Sequence, residues 1–205
     1  MRYPGFFFSF LLLSPALSGC GGQGQEIDPT VGDEVAGIAQ PASAELLRTL
    51  VGRLNAALEE GGPVHAIDFC SDEALPLTAS VQSGIPGGLT MKRTSFRYRN
   101  PLNEPDQAEE EALLFFEEAA LAGGPPPSSF VQRVSVEEYR YYQPLFLGDL
   151  CLQCHGDPET IAPEVKEALA EKYPGDLATG YEAGDFRGVV RVSVPASILP
   201  SAGQG

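Results

Sequence analysis

Tryptophan is absent from this chain, and histidine and methionine occur only twice each in 205 residues. His65 and His155 are the whole supply of imidazole, and Met91 is the only methionine beyond the initiator. Any metal chemistry must therefore draw on a very short list of donors. Positive charge is also scarce. Thirteen Lys and Arg stand against 28 Asp and Glu, a net of −15. That balance excludes the electrostatics of a nucleic-acid binder and of a polybasic membrane-surface protein. The chain has no internal repeat. Its N-terminal apolar stretch, Phe6 to Leu13, is too short to cross a bilayer as a helix.

That stretch reads instead as part of an export signal. Arg2 precedes it as a minimal positive region, and Leu17-Ser18-Gly19-Cys20 follows as a small-residue cleavage site. With cysteine directly after the cut, the segment reads as a bacterial lipobox. Residues 1–19 are then a lipoprotein signal peptide, and Cys20 carries the lipid. The competing reading is an ordinary signal peptide with an incidental cysteine. Several acyl chains on Cys20 would hold the protein stably on a membrane. Gly21, where inner-membrane lipoproteins favour Asp, points to the outer membrane and its periplasmic side. Cleavage removes only Arg2 among the charges, taking the net to −16. Residues 20–40 are rich in Gly and acid and lack periodicity, so they read as a flexible tether. Residues 41–199 are the expected domain and 200–205 a disordered tail.

Periodicity places the elements of that domain. Leu46, Leu47, Leu50, Val51, Leu54 and Leu58 recur at helical spacing, predicting a helix over 44–60 with Ser43 as its N-cap. Gly61-Gly62 ends it, and Pro63 suits the first turn of a second helix through His65 to Cys70. A short helical piece is expected over 74–81. Between Leu89 and Arg99, Arg93, Ser95, Arg97 and Arg99 alternate with Thr94, Phe96 and Tyr98, the period of a strand. Asn103 is the expected cap of a helix over 104–122, with Leu113, Phe116 and Ala120 inside and Glu109, Glu110, Glu111, Glu117 and Glu118 on the wet face. Strands are expected over 130–136 and 138–147, a helical turn at 151–155, a helix over 163–172 and a last strand over 187–194. The sum is three or four antiparallel strands with helices before and between them, an α+β domain.

Cys151-Leu152-Gln153-Cys154-His155 carries the chemistry. Two cysteines two residues apart and a directly following histidine form the attachment signature of a c-type haem. Each thiol can add across a haem vinyl group, and the histidine can then ligate the iron. The competing readings are a disulfide and a zinc site. A thioredoxin-like disulfide would want a βαβ context and the missing tryptophan. Zinc would need Cys70 or His65 as a further ligand. His155 is thus the expected ligand on one face of the iron. On the other, Cys70, His65 and Met91 stay open, and Cys70 can equally be a small buried hydrophobe among Ala66, Ile67 and Phe69. Arg93, Arg97 and Arg99 share one face of the expected strand and suit the haem propionates, with a solvated strand face as the alternative. Tyr142, beside Tyr139 and Tyr141, is placed against the cofactor, with plain strand core as the alternative.

Five ordered motifs widen the picture. They are Ala66-Ile67-x-x-Cys70, Arg93-Thr94-Ser95 running into Arg99-Asn100-Pro101-x-Asn103-x-Pro105, Tyr141-Tyr142-x-Pro144-Leu145, Cys151-Leu152-x-Cys154-His155-Gly156-Asp157-Pro158 and Gly180-Tyr181-x-x-Gly184-Asp185-x-Arg187-Gly188. Together, over about residues 44 to 198, they resemble the PAS-like single-haem c-type domain first described in a cyanobacterial protein and long catalogued as a domain of unknown function. The resemblance implies a PAS-like antiparallel sheet with helical flanks. It also implies one covalent haem c with histidine on one side of the iron and cysteine thiolate on the other, which here means His155 and Cys70. Such domains often serve as extracytoplasmic sensors. The expectation is redox sensing or one-electron transfer with a separate redox or signalling partner, without enzymatic turnover. The alternatives are a gas or redox sensor in which Cys70 leaves the iron, and a peroxidase-like enzyme using His65. Cys20→Ala should move the protein from the detergent phase to the soluble periplasmic fraction. Unmodified Cys20 recovered from membrane-bound protein would contradict the lipid assignment.

Overall fold

The computed structural model describes residues 27–201. The signal segment 1–19, Cys20 and the outer parts of the tether and tail lie outside the described residues. Helix α1 (Pro29–Asp72) starts far earlier than the leucine stripe indicates. Asp28 caps it, accepting from the Thr30 N–H at 2.8 Å, and Pro29 occupies the first turn. Residues 29–40 are thus helix rather than flexible tether. Val35 and Ala39 are fully buried and continue one stripe through Ala42, Leu46 and Leu50. Ser43 lies inside this helix, buried, and is no cap; its Oγ meets Gln143 Oε1 at 2.5 Å. The break expected at Gly61-Gly62 is present as a kink. Gly62 has φ +73°, a region that side chains with a Cβ rarely adopt, and Pro63 opens the next stretch. There the chain folds back, so that Ala66, Phe69 and Cys70 pack against Leu54, Ala57 and Leu58. Helix α2 (Ala74–Ser83) follows.

Four strands form one antiparallel sheet in the order β1 (Thr90–Thr94), β4 (Phe186–Pro195), β3 (Glu138–Phe146) and β2 (Phe130–Arg133). The central β4 is buried on both faces, as an inner strand must be. Val190, Val192 and Val194 face the layer of α1 and α2, with Leu89, Met91 and Tyr141. Val189 faces helix α3 (Gln107–Leu121), with Ala112, Leu113 and Phe116. The start of the expected tail joins the fold as well, since the Ser201 N–H and Oγ reach Glu34 at 3.1 and 2.8 Å.

Two local differences matter for the site. Strand β1 stops at Thr94 rather than Arg99, and its pairing with β4 ends at Thr94 opposite Val189. The next β4 residue, Gly188, has φ +148°, and a Cβ there would collide with the Thr94 carbonyl. The chain bends away through Ser95 to Asn100, so Arg97 and Arg99 do not continue the strand alternation. Helix α3 is capped by Asp106, not Asn103, through a capping box with Glu109. Asn103 instead sits in a 3-10 turn (Pro101–Asn103), and its carbonyl accepts from the Thr94 hydroxyl at 2.9 Å.

Of the expected wet face of α3, Glu110, Glu111, Glu117 and Glu118 are exposed but Glu109 is fully buried. Ala120, expected inside, is exposed. Glu109 reaches Lys92 on β1 at 2.7 Å and Arg191 on β4 at 3.1 Å, tying α3 to the sheet. Removing one member of such a group strands the others. Glu109→Ala should therefore cost roughly 3–5 kcal/mol of unfolding free energy. Urea denaturation checks this, and a loss below about 1 kcal/mol would show that the group is screened like a surface pair.

Candidate functional site

The haem-attachment signature lies where the sequence places it, on one helical turn. After β3 a 3-10 turn (Asp149–Cys151) leads into α4 (Leu152–His155). A loop after helix α5 (Pro163–Lys172) packs along this turn. The Gly180 N–H donates to Gly156 O at 2.6 Å, and the Tyr181 N–H to His155 O at 3.0 Å. His155 Nδ1 lies 2.7 Å from the Ala178 carbonyl. That carbonyl can only accept, so Nδ1 carries the proton and Nε2 keeps its lone pair, the tautomer of a metal-ligating imidazole. Burial, with the charges of Arg99 and Arg187, pushes the imidazole down to about 3, so it is neutral over any physiological range.

His155 opens on two adjoining cavities that share Cys70, Arg99, His155 and Tyr173. One, of about 150 Å³, is apolar and holds Cys151 and Cys154 with Leu54, Ile67 and Leu147. The other, of about 220 Å³, is the more polar of the two and holds Arg93, Thr94, Ser95, Tyr98 and Arg187. Burial pushes the Cys70 thiol up, while Arg93 and Arg99 pull it the other way. Arg93 and Arg187 are both held below the usual arginine value by burial. Neither forms an ion pair among the described residues. Apolar walls, two thiols, one lone-pair imidazole and two guanidiniums without a counter-anion suit a flat apolar group carrying carboxylates. A haem is such a group, and the donor set fits it.

A family model described as Tll0287-like matches residues 30–195. The chain belongs to the Tll0287-like family. A crystal structure of the cyanobacterial heme protein Tll0287 superposes with a TM-score of 0.55 at 23% identity, covering 82% of this chain and 97% of that one. It shares this fold. No curated protein matches. The family match begins within the first turn of α1, in agreement with the long helix rather than with a tether to residue 40.

Within this Tll0287-like fold the candidate residues separate. Of the three donors left open for the second iron face, Cys70 shares the cavities with His155. His65 is exposed on the surface, 3.6 Å from Glu60. Met91 is packed in the sheet core. Zinc finds no support, since no group of three metal-ligating residues is assembled among the described residues. Cys151 and Cys154 are free thiols that follow an antiparallel strand, not the βαβ unit of a disulfide oxidoreductase.

The arginines separate too. Arg93 faces the polar cavity. Arg99 lines it, but its Nε donates to Asp176 at 3.0 Å. Arg97 turns away and stacks on Tyr181, 3.9 Å from the ring centre. The shared strand face fails because the strand ends at Thr94. Tyr142 stands outside both cavities. Its ring packs with Phe116 and Val189, and its hydroxyl lies 3.0 Å from Gln132 Oε1. The alternation of β3 turns it toward α3. Arg187 went unassigned, although it lies in the last of the five motifs; its signal was a basic residue opening a strand in a very acidic chain. In the ligand-free chain, Arg93→Met or Arg187→Met should raise stability by about 1 kcal/mol, since each removes a half-buried charge without an ion-pair partner among the described residues. Arg99→Met should lower it by roughly 3–5 kcal/mol by stranding Asp176. Urea midpoints read both signs, and equal losses at all three positions would mean that the arginines serve only packing.

Proposed function

We propose that this chain is an exported, lipid-anchored monohaem c-type protein that works in redox sensing or one-electron transfer. One observation carries the reading: the CxxCH turn delivers two thiols and a lone-pair imidazole to cavities that also hold Cys70 and the unpaired guanidiniums of Arg93 and Arg187. The structure of a haem protein in the same family supports it. In this reading the Cys151 and Cys154 thiols would hold the group covalently, as thioethers made by adding S–H across its two vinyl groups. His155 Nε2 and Cys70 Sγ would ligate the iron, and Arg93 and Arg187 would meet the propionates.

Haem held there supplies a one-electron ferric–ferrous couple. The chain's own residues set its character. The Ala178 carbonyl holds His155 in one tautomer and orientation. Cys70, deprotonated on metal binding, brings a negative sulfur that favours the ferric state and a low potential. Leu54, Leu58 and Leu147 exclude water. Cys20 holds the protein on the periplasmic face of the outer membrane, and a separate partner exchanges the electron or receives the signal. The kink at Gly62 favours one variant, in which the segment carrying Cys70 withdraws on reduction and the protein senses redox state or a gas.

Acid–acetone treatment should leave the colour on the polypeptide; a colourless polypeptide ends the covalent reading. Cys70→Ala should turn the ferric spectrum high-spin and open the iron to CO or imidazole, and Cys70→Ser should raise the potential. His65→Ala should change neither. A high-spin His65→Ala protein beside an unchanged Cys70→Ser protein would make the ligand pair bis-histidine.

A further inference from the structure

Arg99 makes a set of contacts that binding a propionate does not require. Its Nε donates to Asp176 Oδ2 at 3.0 Å. One terminal nitrogen donates to Cys154 O at 2.6 Å and to Ala178 O at 3.3 Å. The Ala178 carbonyl is the same one that holds His155 Nδ1 at 2.7 Å. Asp176 closes the circuit, because its Oδ1 accepts the Ala178 N–H at 2.8 Å. One carboxylate thus grips both the guanidinium and the residue whose carbonyl fixes the imidazole. Both side chains of the pair are only 12% exposed, so salt screens them little.

A carbonyl shared between two donors gives less to each, although here the imidazole keeps the shorter contact, 2.7 Å against 3.3 Å for the guanidinium. The His155 Nδ1–H is therefore held in place but pulled less toward imidazolate than an unshared carbonyl would pull it. How far that proton is pulled sets how well Nε2 donates to a metal. We propose that Arg99 and Asp176 are positioning residues for His155, the pair fixing the Ala178 carbonyl and weakening the hydrogen bond it accepts, and so limiting the electron donation of Nε2 to bound iron. The assignment rests on the reading that His155 ligates a haem iron. It gives Arg99 a role distinct from that of Arg93 and Arg187, whose guanidiniums have no such partners. The Cys154 carbonyl extends the grip to the attachment turn itself, so a single guanidinium registers the turn against the loop that orients its histidine.

The test uses the full-length, haem-loaded protein and three variants: Arg99→Lys, Asp176→Asn and the double variant Arg99→Gln with Asp176→Asn. The double variant keeps the net charge, so a long-range field effect cancels in it. Midpoint potential and the g-values of the low-spin ferric state are read for each. Without Arg99 the Ala178 carbonyl belongs to His155 alone, so imidazole donation rises and the ferric state gains. The double variant should show a lowered potential and shifted g-values. Arg99→Lys keeps the charge without the fork and should move both readouts the same way by less. A double variant with the parent's potential and g-values overturns the proposal, as does an Arg99→Lys protein identical to the parent. If the double variant does not load haem, Asp176→Asn carries the test, because its amide oxygen can still accept the Ala178 N–H. Its g-values should move, and unmoved g-values overturn the proposal. A parent protein that carries no haem overturns the underlying reading first, and an unchanged, loaded variant overturns this assignment alone.

Discussion

Holding a guanidinium partly out of water without a carboxylate partner is costly, and among the described residues this fold does it twice beside one imidazole. Arg93 comes from β1 and Arg187 from the start of β4, neighbouring strands whose close crossing at Gly188 sets both beside the same cavity. Much of the surrounding architecture serves that wall. The bend after Thr94 makes room for it. The capped α3 locks the opposite face of the sheet through Glu109, where two cations share one buried carboxylate. Lys92 and Arg191 have their carboxylate, whereas Arg93 and Arg187 have none among the described residues. Two basic pairs on adjacent strands thus have opposite fates. The difference separates a structural ion cluster from a cavity wall whose two cations have no carboxylate beside them among the described residues.

The cysteines are sorted with similar economy. Within the described residues the three thiols gather around one apolar space, two on the helical turn and one on the folded-back end of α1. The turn's two cysteines arrive by local geometry alone. Cys70 arrives only because the chain reverses at Gly62, which brings residues 66–70 back onto Leu54 and Leu58.

Local signals in the sequence proved dependable where the structure is local. Helix α5 runs from Pro163 to Lys172 as its proline and apolar spacing indicate, and the hairpin of β2 and β3 and the turn at Cys151–His155 follow the same logic. Misreadings arose where tertiary contact decides. Glycine and acid at 29–40 suggest a tether, yet Val31, Val35, Ile38 and Ala39 were already at helical spacing, and burial against the sheet outweighs weak propensity. The Arg93 to Arg99 alternation looks like one strand until Gly188 forces the bend. Asp106 and Asn103 are both good caps, and only the reciprocal bond from Glu109 chooses between them. Tyr142 is close to Cys151 in sequence but lies on the other side of a pleat. Glu109 shows no local mark of burial and Arg187 none of facing a cavity, since the surroundings of each are assembled from separate segments.

The long first helix also sets a direction. Its opening turns are pinned to the far end of the described chain by Ser201 and Glu34. From Glu34 to Leu54, on the cavity wall, the helix runs about 30 Å at 1.5 Å per residue. The chain therefore enters at one pole and keeps its reactive side chains near the other. A surface that grips the N-terminal pole would leave the cavity uncovered, facing whatever approaches from the opposite side.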